Sequence, residues 1–290
     1  MKHLAFFLIF ILLISWLSGC SPTQSADLVA TTLPVYEFTA RLCQGTDLTV
    51  MRLITENVSC LHDYTLQVNQ MLAIENAQAV VISGAGLEGF LDDALAGSET
   101  IIDASQGVAL LHAEHHHHDD HHHEHEDDPH IWLSPEYAKS MAENICNGLT
   151  QLYPAHTAQF TANLSTLLAD LDSLQAYGEE ALQNLACRRL ITFHDGFSYL
   201  AESFDLSILE AVEEESGSEA SAAQLKHLIQ LTQTYGLPAV FSERNGAASA
   251  AGIIAAETGL PVFALDMAMS GDSYFDAMYH NINTLQEALQ

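Results

Sequence analysis

The residues best suited to chemistry in this chain are its histidines, 16 in 290 residues. Ten of them lie between positions 112 and 130, in HAEHHHHDDHHHEHEDDPH, with seven Asp or Glu. Neutral imidazole and carboxylate are good ligands for borderline divalent metals such as zinc. No apolar period runs through the stretch, so residues 112–129 read as a solvated loop. Its repeated ligands, His115, His116, His117, His118, His121, His122, His123 and His125, suit several weak, exchanging metal sites. On this reading, deleting 112–128 removes the weak sites and keeps any tight one.

Three isolated histidines carry more information. His62 lies in ENVSCLHDYTL, His130 in DPHIWLSP and His194 in RLITFHDGF. His62 and His194 follow the C-terminal ends of strand candidates, where open α/β sheets bind ligands. Each of the three has an Asp adjacent or two residues before it, and a carboxylate can orient an imidazole toward a metal. His156, His227 and His280 sit on helical segments without that setting and read as surface or core residues. Two formal motif matches are set aside. His121-x-x-Glu124-His125 fits an inverted zinc-protease pattern, but the stretch cannot supply the helix that pattern needs. Gly84-Ala85-Gly86-Leu87-Glu88-Gly89 fits a dinucleotide fingerprint, yet Glu88 would repel a pyrophosphate, so a tight strand-to-helix turn is expected.

The elements that must position these residues follow from periodicity. LVATT, LTVMRLI, AVVIS and TIIDA in the first half, and RLITFH, LSIL, PAVFS and PVFAL in the second, read as strands. Between them VYEFTARL, LQVNQMLAIENA, LEGFLDDALA, FSYLAESF, AAQLKHLIQLTQTY and AASAAGIIAAETG have a helical period, as does the C-terminal YFDAMYHNINTLQEALQ. Alternating strand and helix predict an α/β fold with parallel sheets. Residues 154–186 show only a helical period. They are expected to form one connecting helix of about 50 Å, with Gly178 marking a break. The predicted organisation is a lobe over 28–152, a linker helix over 153–186 and a second lobe over 187–290.

Charge and cysteines bound the partners and the compartment. With 38 acidic against 8 basic residues the net charge is −30, which repels phosphate backbones and argues against nucleic-acid binding. Residues 1–19 read as an export signal: a short basic start, a 14-residue apolar run and small residues before Cys20. A tether over 20–27 follows. Leu17-Ser18-Gly19-Cys20 resembles the lipobox of bacterial lipoproteins, which implies a lipid on Cys20 and anchoring to the cell membrane from outside the cytoplasm. Cys43, Cys60, Cys146 and Cys187 remain. With no CxxC among them, neighbouring disulfides Cys43–Cys60 and Cys146–Cys187 are the expectation.

At its isolated histidines the chain closely resembles the metal-binding solute receptors of ABC transporters, in their zinc/manganese group. ENVSCLHDYTL is similar to that group's first ligand segment, SGAGLEGFLDDAL to its post-strand turn, DPHIWLSP to its second ligand motif and TFHDGFSYLAESF to its third. The stretch from SEASAAQLKHL to PVFALD is similar to its C-terminal lobe pattern. The resemblance implies two (β/α) lobes joined by a rigid helix, with one cation in the cleft. It further implies a non-enzymatic receptor, a monomer, that delivers the cation to an ABC permease driven by a separate ATPase. The implied ligands are His62, His130 and His194, and three imidazoles favour Zn2+ over the harder Mn2+. Asp266 is the candidate fourth ligand, with Asp272 and Glu243 as alternatives. Leu61 stands where the first segment usually carries Pro, with Cys60 beside it as a further possible thiolate. The alternatives are a surface zinc hydrolase with Asp195 or Glu243 as base, and a purely buffering or adhesive lipoprotein.

Overall fold

A computed structural model of the chain describes residues 26–58, 61, 64–96, 100–112, 127–212, 220–245 and 249–290. The signal segment, Cys20, Cys60, His62 and the loop histidines from His115 to His125 lie outside the described residues. Among the described residues no helix is long and apolar enough to cross a membrane.

The first half builds a four-stranded parallel sheet. Its elements are β1 (Leu28–Ala30), α1 (Leu33–Leu42), β2 (Val50–Arg52), α2 (Val68–Asn76), β3 (Ala79–Ile82), a short α3 (Asp92–Leu95) and β4 (Ile101–Asp103). The strand order is β2-β1-β3-β4. Two helices follow, α4 (Pro135–Leu152) and α5 (Thr157–Ala181). The second half repeats the plan with β5 (Arg189–Thr192), α6 (Ser198–Ser203), β6 (Ser207–Ala211), α7 (Ala222–Tyr235), β7 (Val240–Glu243), α8 (Ser249–Thr258) and β8 (Val262–Leu265). Its order is β6-β5-β7-β8, again parallel. The chain ends in α9 (Tyr274–Leu289). In each sheet the first strand has neighbours on both sides, so a crevice opens at its C-terminal end. Central strands read as unbroken apolar runs because helices cover both faces, and Leu28, Val29, Ala30, Val80 and Val81 are all buried.

One apolar core runs from the first sheet into the second half. It includes Phe38 of α1, Trp132, Leu171 of α5, Tyr199 of α6, Leu265 of β8 and Tyr274 and Leu285 of α9. A smaller cluster around Ile191, Val240 and Ile254 lies on the far side of the second sheet. Helix α9 touches α1 and α5 as well as β8, so it binds the two halves together.

The connecting helix differs from expectation in two ways. It is 25 residues long, about 37 Å, because a 3-10 turn at Pro154–His156 precedes it and the chain leaves it after Ala181. Nor does Gly178 break it. A Cβ at that position would lie 2.3 Å from Cε1 and 2.4 Å from Cζ of the buried Phe204 ring. The glycine is there so that the second half can pack against the helix. The expected Cys146–Cys187 disulfide is also absent: both residues are free thiols, as is Cys43. Cys146 is buried in the face of α4, while Cys187 stands beside the end of α9, its backbone N–H donating to Leu289 O. Burial pushes the Cys43 thiol up to about 12, which makes it an inert core residue.

The post-strand turn is filled by a carboxyl group of the chain itself. Glu88 is buried; its Oε1 accepts from Thr31 Oγ1 (2.7 Å) and Ser83 N (2.7 Å), and its Oε2 accepts from Gly84 N (3.0 Å). Backbone donors that would cradle a phosphate in a dinucleotide-binding turn are therefore taken by that carboxyl group.

Helix propensity alone says that Gly178→Ala should stabilise the protein by up to about 1 kcal/mol. Overpacking against Phe204 has the opposite sign and costs about 1–3 kcal/mol. We expect packing to win, seen as a lowered thermal midpoint that Gly178→Ala combined with Phe204→Leu partly restores.

Candidate metal centre

The segment carrying His130 is built to hold one geometry. Asp128, Pro129 and His130 lead into a 3-10 turn over Ile131–Leu133, and Ser134 then caps α4, accepting from Tyr137 N, with Pro135 opening the helix. Oδ1 of Asp128 accepts from both the backbone N–H of His130 (2.9 Å) and its ring Nδ1 (2.8 Å). The imidazole is thereby assigned its proton on Nδ1, which leaves the Nε2 lone pair facing the cleft. Both side chains are almost closed to solvent, at 6% for His130 and 3% for Asp128. Oδ2 of Asp128 is buried with no hydrogen-bond partner among the described residues.

The second half of the molecule grips this segment. Tyr199 of α6 donates its hydroxyl to Asp128 O (2.9 Å) and accepts from Leu111 N (2.8 Å). Trp132 Nε1 donates to Met267 O (2.7 Å), and Tyr274 OH donates to Trp132 O (2.7 Å). The same contacts close the neck of the His-rich loop, where Asp128 N donates to Leu111 O and His112 Nδ1 meets Asp127 Oδ1 at 2.8 Å.

His194 lies two residues beyond β5, at the crevice of the second sheet. Its Nε2 stands 3.4 Å from Nε2 of His130, with the rings nearly perpendicular at 86°. Two ligand nitrogens on a tetrahedral zinc at about 2.0–2.1 Å stand roughly 3.3–3.4 Å apart. The pair can thus share one cation without rearrangement. Gly196 makes the approach possible: a Cβ there would fall 2.7 Å from Cδ2 of His194, 3.0 Å from Cε1 of His130 and 2.6 Å from Cε of Met267.

Acidic groups border the pair. Glu243, the last residue of β7, brings Oε2 to 3.8 Å from Nδ1 of His194. Burial, with the charge of Asp266 adding to it, pushes the Glu243 carboxyl up to about 7. Asp266 follows β8 and is fixed on every side. Its N–H donates to Asn281 Oδ1 and its carbonyl accepts from Asn281 Nδ2, both at 2.7 Å. Its Oδ1 accepts from Ala268 N (2.8 Å), and its Oδ2 meets Nη1 of Arg244 at 3.2 Å. Asp272 is exposed. Among the described residues no group of three or more His, Cys, Asp or Glu closes a metal site; the structure brings His130 and His194 together, and His62 is not among the described residues. His156, His227 and His280 are engaged elsewhere, with Asp47 at 3.0 Å, Glu210 at 3.8 Å and Ala264 O at 3.1 Å. Sequence reasoning missed Gly196, Tyr199 and Arg244. Only Gly196 left a local signal, as a glycine two residues past a candidate ligand.

Two substitutions test this geometry. Asp128→Asn should weaken divalent-metal binding by about 10–100-fold with little loss of fold, since it replaces the charged acceptor that sets the His130 tautomer with a weaker, neutral amide oxygen. Gly196→Ala should weaken it comparably by forcing the imidazoles apart. Isothermal titration with zinc reads both, and affinity unchanged in both variants would disprove the arrangement.

Comparison with known proteins agrees with this architecture. The family model described as ZnuA, zinc-uptake complex component A, periplasmic, matches residues 28–288. The zinc-binding protein AdcA of Streptococcus pyogenes serotype M1 is 28% identical over 284 residues, covering 89% of this chain; the chain spans 55% of the length of AdcA. A crystal structure of ZnuA superposes with a TM-score of 0.81 at 29% identity, covering 91% of this chain and all of that one. A zinc-bound ZnuA lacking residues 138–173 of its own chain gives 0.78 at 30% identity, covering 91% of this chain and 98% of that one. With a family model spanning nearly all of the described fold, this chain belongs to the ZnuA family of zinc-uptake components.

Proposed function

We propose that the protein is the extracytoplasmic receptor of a zinc-uptake ABC transporter, which captures Zn2+ in the crevice between its two halves and hands it to the permease. The observation that carries this is the 3.4 Å separation of Nε2 of His130 and Nε2 of His194, one held by each half of the fold. His62, His130 and His194 are the proposed imidazole ligands; Asp266 is the candidate for a fourth contact, with Arg244 competing for its carboxylate. The family is a binding component of a transport complex, and AdcA and the zinc-bound ZnuA carry zinc in their names. Permease, ATPase and a lipid on Cys20 are the partners this reading requires. A related chain is described as a zinc-binding lipoprotein, AdcA of Streptococcus pneumoniae, which supports the anchor. The protein acts as a monomer that presents one ion at a time.

The His-rich stretch serves as a collector of zinc for the tight site. Its neck is closed by the His112–Asp127 and Leu111–Asp128 contacts, and Asp128 then holds His130. A deletion of 112–128 would therefore cut into the tight site itself, and the informative deletion removes 113–126 only. That variant should lose the weakly bound zinc equivalents and keep one tight equivalent. His194→Ala should do the reverse. Calorimetry and metal analysis of protein purified without added metal measure both; a His194→Ala variant that retains tight zinc binding would sink the site assignment.

A further inference from the structure

The register of the second sheet places a cation against the carboxylate that directly follows β8. Glu243 pairs with Leu265 across β7 and β8, so the next residues out, Arg244 and Asp266, are neighbours at the C-terminal edge. The backbone reinforces this, with Arg244 N donating to Leu265 O at 2.8 Å. Arg244 Nη1 then reaches Asp266 Oδ2 at 3.2 Å, while Ala268 N occupies Oδ1. Both oxygens of Asp266 thus have donors before any metal arrives. The guanidinium is half exposed at 56%, whereas the Asp266 carboxylate is buried at 9%. Asn281 fixes the backbone of Asp266 from α9, so the carboxylate has little freedom to swing away from Arg244.

We infer that Arg244 withholds the Asp266 carboxylate from the metal and thereby sets the cation preference of the site. The inference rests on the three-imidazole reading given above. Imidazole suits zinc, whereas hard oxygen donors suit manganese, magnesium and calcium. A carboxylate already engaged by a guanidinium and a backbone N–H is not offered as a ligand, and the site stays nitrogen-rich. Released from Arg244, Asp266 would offer a charged oxygen that benefits the harder cation more than zinc. Arg244 is a positioning residue in this account, since it acts through Asp266.

The test measures Zn2+ and Mn2+ affinities by competition with a chromogenic chelator in the full-length protein. Variants are Arg244→Gln, Arg244→Lys, Asp266→Asn and the Arg244→Gln/Asp266→Asn double. Arg244→Gln should raise Mn2+ affinity by about tenfold, a shift of the size seen when groups supporting a metal ligand are changed. Zn2+ affinity should rise by less, so the Zn2+/Mn2+ ratio falls. Arg244→Lys, which keeps a cation beside Asp266, should hold the wild-type ratio. Asp266→Asn should cost more Mn2+ affinity in the Arg244→Gln background than in the wild type, the coupling expected of two residues acting through one contact. An unchanged ratio in Arg244→Gln, or equal losses in both backgrounds, overturns the inference. His194→Ala separates the two levels: if it spares tight zinc binding, the three-imidazole reading falls. If it abolishes binding while Arg244→Gln changes nothing, only the role of Arg244 falls.

Discussion

The bond from Asp128 to the His130 ring is the constraint on which the site depends. One carboxylate oxygen takes two donors from the same residue, the backbone N–H and Nδ1. That sets the tautomer, the ring orientation and the direction of the free lone pair together. A buried carboxylate is costly unless well partnered, so the surrounding structure must keep Asp128 in place. Tyr199 does so through the Asp128 carbonyl, and the Leu111 contact does so through its N–H. The candidate metal centre therefore takes its geometry from hydrogen bonds one step behind the His130 ring.

Those bonds also decide how the halves of the molecule relate. His130 belongs by sequence to the first half, yet Trp132, two residues on, is tied to Met267 and Tyr274 of the second. Farther out, Arg52 donates to Gly271 O and Tyr274 N donates to Glu37. An apolar core continues beneath these contacts. An interface with the character of an interior resists hinge motion, because opening it would expose buried apolar surface and unpaired polar groups. The crevice is in this sense preformed.

Much of this was legible in the sequence, for physical reasons. Parallel strands covered on both faces are largely apolar, so six of the eight described strands fall inside runs such as AVVIS and PVFAL, while β6 and β7 extend past theirs to Ala211 and Glu243. The isolated histidines stood out because His194 follows such a run directly. Other features were invisible because they depend on tertiary contacts. LEGFLDDALA reads as one helix by period, but after Leu87 and Glu88 it forms a 3-10 turn and then only four helical residues, with Glu88 drawn back into the turn. Gly178 reads as a helix breaker until Phe204, 26 residues later, is seen to fill the space above it. Cysteine spacing suggested a pairing that the fold keeps apart. Arg244 and Asp266 meet only through the register of β7 and β8, which no local pattern encodes.

The placement of α9 carries a consequence for the order of assembly. This final helix fills the seam between α1, α5 and β8, and Tyr274 stacks edge-on to Phe38 from the opposite end of the chain, at 5.0 Å. The seam stays unsealed until α9 has been synthesised. Contacts that span nearly the whole sequence are slow to form, and a chain missing them presents greasy surface in the meantime. Completion of the seam, and with it the docking of Asp266 on Asn281, thus waits for α9. A nascent chain holds both histidine segments long before it holds a finished binding site.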